Sequence, residues 1–112
     1  MNDATITGMT LDRLQYFGQL AAEQPDVPQA RYAHANELFK AGHWAKCADE
    51  FTAYLALAPD DEGSAHGRLA AALAHDGRLD DAADSYLAGI DAAERNGHHG
   101  MADDFRAALE AL

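Results

Sequence analysis

Residues 40–61 read KAGHWAKCADEFTAYLALAPDD, and residues 74–94 read AHDGRLDDAADSYLAGIDAAE. Set against each other at an offset of 35, Gly42 falls on Gly77, Trp44 on Leu79, Cys47 on Ala82, Ala48 on Ala83, Phe51 on Tyr86 and Leu55 on Ile90. The register continues upstream through Ala30/Ala65, Ala35/Ala70 and Leu38/Leu73. Pro25-Asp26 returns as Pro59-Asp60 at an offset of 34, so one residue is inserted near Asp61 to Gly63, within a turn. Glycine, large aromatic and small residues each match in kind, which alanine bias alone does not produce. Self-similarity at this period is the mark of a repeat architecture.

The repeated unit is two helices and two turns. A first helix is expected from Pro28 to Lys40, with Asp26 as its N-cap and Pro28 in its first turn. Gly42 should end it in the left-handed conformation that glycine tolerates. A second helix follows from Trp44 to Leu57 and stops at Pro59. The copy runs from Ser64 to His75, turns at Gly77, and continues from Leu79 to about Arg95. Apolar side chains recur at helical spacing in both second helices: Trp44, Ala48, Phe51 and Leu55, then Leu79, Ala83, Tyr86 and Ile90. Small residues (Ala35, Ala70, Cys47, Ala82) suit close helix crossings, with Phe51 and Tyr86 filling the space beside them.

The ends complete the series. Residues 10–24 form an amphipathic helix with Leu11, Leu14, Phe17, Leu20 and Ala21 on one side, read as a half-repeat because Phe17 precedes Phe51 by 34. Residues 100–112 place Met101, Phe105, Ala108, Leu109 and Leu112 in an apolar stripe, with Asp103, Arg106 and Glu110 turned away, as a terminal cap requires. Residues 1–9 are expected to be flexible.

These residues resemble the tetratricopeptide repeat family, whose unit of about 34 residues is a helix–turn–helix. The stretches 40–61 and 74–94 are similar to the second half of that unit, and the likeness covers about Pro25 to Glu94. Three positions differ from the family pattern: His34 where Leu is usual, His66 where a large aromatic is usual, and Glu94 where the terminal Pro would stand. The implied fold is an all-α superhelix, a solenoid of about six helices in one domain. It comprises a half-repeat (10–24), repeat one (28–60), repeat two (63–96) and a capping helix (100–112).

The same resemblance implies a concave face lined by the first helix of each repeat. That face would hold Gln29, Tyr32, Asn36, Phe39 and Lys40, then Ser64, Gly67, Arg68, Ala71, Ala74 and His75, with Asp103, Ala107 and Glu110 following from the cap. Some family members clamp a peptide carboxylate with lysines, asparagines and an arginine. Asn36, Arg68 and Lys40 could contribute to such a clamp, but Tyr32 stands at a clamp-lysine position and Asp103 opposes an acidic peptide. Tyr32 and Phe39 either wall a shallow concavity left by Gly67, Ala71 and Ala74, or pack against the N-terminal helix.

Composition narrows the partners. The chain has 112 residues, 48% of them hydrophobic, and its only valines and isoleucines are Val27, Ile6 and Ile90, a balance that favours helix. Nineteen acidic and eight basic residues give a net charge of −11, which repels nucleic-acid phosphates and anionic membrane and suits solubility or a basic ligand. Cys47 is the only cysteine, so no internal disulfide or cysteine-based zinc site is available, and it reads as a small buried residue at a helix crossing. The opening MNDATITGM lacks the basic and apolar regions of a signal peptide, and no apolar run reaches the ~20 residues of a membrane span, so a cytoplasmic location is expected.

No phosphate loop, nucleophile elbow or Ser/His/Asp constellation occurs, Ser64 and Ser85 being the only serines, so neither catalysis nor a cofactor is expected. His98-His99 with Asp103 and Asp104 is the one cluster of metal-ligand residue types, but adjacent histidines diverge on a regular backbone and read as a solvated loop. His34 reads as a half-buried core histidine. The expected function is a protein-interaction module, scaffold or adaptor that holds a peptide or partner helix, similar to small bacterial proteins of this family. An acidic assembly chaperone for one client protein is the alternative, and a metal-binding protein using His98 and His99 the remote one. A homodimer is a further expectation, since a short solenoid exposes its ends.

Overall fold

The turns carry the repeat most plainly. Gly42 adopts φ 75° and donates its N–H to the Phe39 carbonyl at 3.1 Å, while the His43 N–H reaches the Leu38 carbonyl at 3.0 Å. This pair of bonds closes a helix in the Schellman manner, which only a residue free of a Cβ clash adopts without strain. Gly77 (φ 81°) and Arg78 repeat it on Ala74 and Leu73, and Gly97 (φ 76°) and His98 repeat it again on Glu94 and Ala93. The residue after each glycine then opens the next helix. The carbonyls of His43, Arg78 and His98 accept from the amides of Cys47, Ala82 and Ala102.

The structure is a computed structural model that describes residues 2–112, with side chains described from Arg13 onward. Six helices make up these residues, with no strand among them: α1 (Asn2–Glu23), α2 (Pro28–Ala41), α3 (Trp44–Leu57), α4 (Ser64–His75), α5 (Leu79–Arg95) and α6 (His99–Glu110). No proline interrupts residues 2–23, and α1 begins ahead of the expected Thr10. Among the described residues no helix is long and apolar enough to cross a membrane.

The start of α2 corrects one expectation. Val27, not Asp26, is the N-cap, at φ −97° and ψ 110°, and no side chain caps the helix. A residue before proline is driven to extended backbone, so Pro28 fixes the boundary and leaves Asp26 one residue too far upstream.

Each helix packs chiefly against the helices before and after it in the chain. The molecule measures 47 × 30 × 22 Å, and its radius of gyration of 14.9 Å exceeds the roughly 13 Å of a spherical domain of this length. The central core joins Ala35 and Leu38 of α2, Cys47, Ala48 and Phe51 of α3, Ala65, Leu69, Ala72 and Leu73 of α4, and Ala82 of α5. Repeat-matched positions share this burial: Ala35 and Ala70, Cys47 and Ala82 are fully enclosed, and Phe51 and Tyr86 are both buried. Trp44 and Leu79 do not behave alike. Trp44 packs between Phe39 and His75, whereas Leu79 is half exposed.

Helix α6 is held by one inserted ring. A Cβ placed on Gly67 would stand 2.4 Å from Phe105, and one on Gly89 would stand 3.0 Å from the same ring. Phe105 therefore lies on the bare backbones of α4 and α5 together, beside Tyr86. Gly63 makes a similar approach: at φ 127°, its Cβ would meet the Gly89 carbonyl oxygen at 3.0 Å.

Candidate ligand cleft between α2 and α4

A cleft of about 630 Å³ opens where α2, the end of α3 and the start of α4 converge. Helical spacing sets one wall, since Pro28, Gln29, Tyr32, Ala33 and Asn36 recur on one side of α2. The last turn of α3 and the turn after it contribute Tyr54, Ala58, Asp61 and Glu62, and α4 contributes Ser64. The volume is in the range of small-ligand and side-chain pockets.

Aromatic packing fixes the floor. The Tyr32 ring meets Phe51 edge-on at 5.7 Å and Tyr54 at 5.0 Å. Tyr32 thus rests on α3 rings and lines this cleft, not a hollow over Gly67, Ala71 and Ala74, which the sequence suggests as one alternative to packing on the N-terminal helix. The Tyr54 hydroxyl donates to Asp61 Oδ1 at 3.0 Å, while Asp61 Oδ2 accepts from the amides of Gly63 (3.0 Å) and Ala65 (3.1 Å). Asp61 is the one buried charged residue among those described, and its three donors hold the turn and the first amides of α4 in place. Burial, reinforced by the Asp61 carboxylate, pushes the Tyr54 phenol up to about 12. Glu62 accepts from Ser64 Oγ at 2.7 Å, and that bond with backbone amides holds its carboxyl below the usual range. Asn36 Oδ1 is buried without a donor among the described residues.

A second cleft of about 510 Å³ adjoins the first at Ser64 and is lined by Phe39, Gly67, Arg68, Ala71, Met101, Asp104 and Phe105. Arg68 lies 4.9 Å over the Phe39 ring, and Phe39 packs on Trp44. The residues expected to share one groove are therefore divided. Gln29, Tyr32 and Asn36 line the first cleft, and Phe39, Gly67, Arg68 and Ala71 line the second. Lys40 turns elsewhere, bonding to Glu37 at 3.1 Å beside Arg13, and His75 stacks flat on Trp44 at 4.3 Å. The hollow expected over Gly67 is narrowed by Phe105, because α6 uses the missing side chain as its own seat.

Asp61, Glu62 and Tyr54 were not among the expected site residues. The signal for Asp61 lay in the one-residue insertion, which places an Asp two residues before a Gly and just ahead of a helix start, the arrangement of an Asx turn.

Elsewhere two histidines are engaged in polar contacts. His34 Nδ1 lies 2.7 Å from Glu50 Oε2, with Arg31 on the other carboxylate oxygen at 2.7 Å and the α1 backbone at Gly18 against its ring. His99 bonds Glu94 at 2.8 Å, and Arg106 bonds the same carboxylate at 2.9 Å. Among the described residues no three His, Cys, Asp or Glu side chains gather as a metal site. Cys47 is fully enclosed, its thiol donates to the Ala35 carbonyl at 3.4 Å, and burial pushes it up to about 11.

No protein-family model matches the chain, and no curated protein matches it.

Proposed function

We propose that the chain is a non-enzymatic protein-interaction module of the tetratricopeptide type, whose stacked helix pairs hold a peptide or partner segment in the cleft between α2 and α4. The supporting observation is the cleft itself: side chains one helical turn apart on α2 face the start of α4 across about 630 Å³, over an aromatic floor. Three near-identical glycine turns and the neighbour-to-neighbour packing favour a solenoid of this kind. A cytoplasmic adaptor is the setting that suits this surface.

Ala33→Arg tests the reading. Ala33 lines the cleft without belonging to the buried core, so the longer side chain fills the space and leaves the core intact. Affinity capture should recover partners on the wild type that the variant loses at unchanged melting temperature. A folded variant that keeps every partner refutes docking in this cleft.

A further inference from the structure

We infer that the cleft between α2 and α4 is built to receive a lysine or arginine side chain from the docked segment, held over the Tyr32 and Tyr54 rings between Glu62 and the Asn36 carbonyl oxygen. This rests on the docking role proposed above and adds the chemistry of the occupant.

Charge is the first argument. No Lys, Arg or His side chain lines the cleft, whereas two carboxylates do. Asp61 is buried, and no Lys or Arg stands within ion-pair distance of it among the described residues. Three donors satisfy the buried Asp61 carboxylate, which therefore keeps its negative charge beside the cleft with no cation paired to it. The His66 imidazole lies near Asp61, but burial lowers its pKa, so it supplies little charge at neutral pH. Glu62 accepts from Ser64 Oγ and backbone amides, bonds that lower its pKa and keep it ionised at neutral pH.

The second argument is the shape of the acceptors. Asn36 lines the cleft, and its Oδ1 is a buried acceptor that lacks a donor among the described residues, an unfavourable arrangement until a donor arrives. A lysine or arginine head carries only donors, and its methylene stem suits tyrosine faces, to which a cation is also attracted. An acidic or hydroxyl side chain would bring further acceptors to a wall already rich in them. The neighbouring second cleft, where Arg68 projects beside Phe39, differs in charge and would take a different residue of the same segment.

The test uses an end-blocked alanine–leucine peptide with one central lysine, and twins with glutamate or norleucine in its place, titrated into the whole chain by NMR. The lysine peptide should shift the amides of Gln29, Glu62 and Ser64 and bind about tenfold tighter than the glutamate twin. Glu62→Gln, which keeps an acceptor for Ser64 Oγ, should weaken the lysine peptide about fivefold, the scale of one partly exposed ion pair. Asp80→Asn, an equal change of net charge on exposed α5, should leave the affinity unchanged. Equal losses from both variants would mean diffuse attraction to an acidic protein and overturn the inference. Norleucine binding in the cleft as tightly as lysine would also overturn it while leaving the docking role intact. If no peptide moves a cleft amide, the inference fails, and capture with Ala33→Arg decides the docking role separately.

Discussion

Replacing Gly67 by alanine should destabilise the protein, although alanine is the better helix former. In an exposed helix interior the exchange gains about 1 kcal/mol. At Gly67 the new methyl would stand 2.4 Å from two atoms of the Phe105 ring, more than an ångström inside normal carbon contact. The ring has no easy retreat, because it already lies 3.0 Å from where a Gly89 Cβ would be. Overpacking of this kind costs about 1–3 kcal/mol, and here the upper end applies, so the net loss should be about 1–2 kcal/mol. For a chain of this length that lowers the melting temperature by about 5–10 °C. Urea unfolding followed by circular dichroism, run as a double-mutant cycle, isolates the contact. Phe105→Ala alone costs about 2–3 kcal/mol for a half-buried ring, but in that background Gly67→Ala should stabilise by about 1 kcal/mol, giving a coupling of about 2–3 kcal/mol. If Gly67→Ala stabilises both backgrounds equally, Phe105 does not rest on Gly67 and the account of α6 is wrong.

Two other glycines should separate backbone strain from crowding. Gly77→Ala meets no atom within 4 Å and should cost only the left-handed backbone penalty of about 1 kcal/mol, whereas Gly63→Ala adds a 3.0 Å approach to the Gly89 carbonyl oxygen and should cost at least 1 kcal/mol more in the same urea assay. Tyr54→Phe removes a donor from buried Asp61 and should cost about 1–2 kcal/mol near pH 7. Because folding raises the Tyr54 pKa to about 12, its contribution is complete below about pH 10 and fades as pH rises toward 12. The gap between wild type and variant should therefore narrow over that window, and a gap constant from pH 8 to 12 would contradict the assignment. Cys47 should resist a thiol reagent at pH 8 in the folded chain and react fully in urea, and rapid labelling without denaturant would contradict its burial.

The helices could be read from the sequence because their limits are set locally. Gly42, Gly77 and Gly97 end α2, α4 and α5 by backbone geometry that no distant contact alters, and Pro28 fixes the first residue of α2. The core was legible for a similar reason, since the positions matched at an offset of 35 are largely those that the structure buries. The cleft was only partly legible. Gln29, Tyr32 and Asn36 followed from the resemblance, which implies an inner face on the first helix of each repeat. The opposite wall depends on a turn in which Asp61 gathers a hydroxyl and two amides, and periodicity does not extend into a turn. Lys40 and His75 line neither of these two clefts, and their directions are set by tertiary partners, Glu37 for one and the Trp44 ring for the other.

Gly67 shows why a small residue on a helix face is an ambiguous sign. Bare backbone can admit a ligand or a neighbouring helix, and the sequence pattern is the same for both. Here α6 follows α5 through a tight turn at Gly97-His98, so Phe105 arrives at an effective concentration set by a very short tether, whereas a free peptide must first lose its translational freedom. Burying even half of a phenylalanine ring then suffices to favour the tethered occupant, since full burial is worth about 1.5–3 kcal/mol. The tethered ring therefore holds the seat over Gly67 and Gly89, and only the remaining edge of the second cleft, around Arg68 and Ala71, stays open. Among the described residues the cleft at Tyr32 has no such competitor, because the Asp61 bonds to Tyr54, Gly63 and Ala65 tie the turn after α3 to the wall. That difference in tethering is what favours the α2–α4 cleft, over the glycine-lined face, for the docking role proposed above.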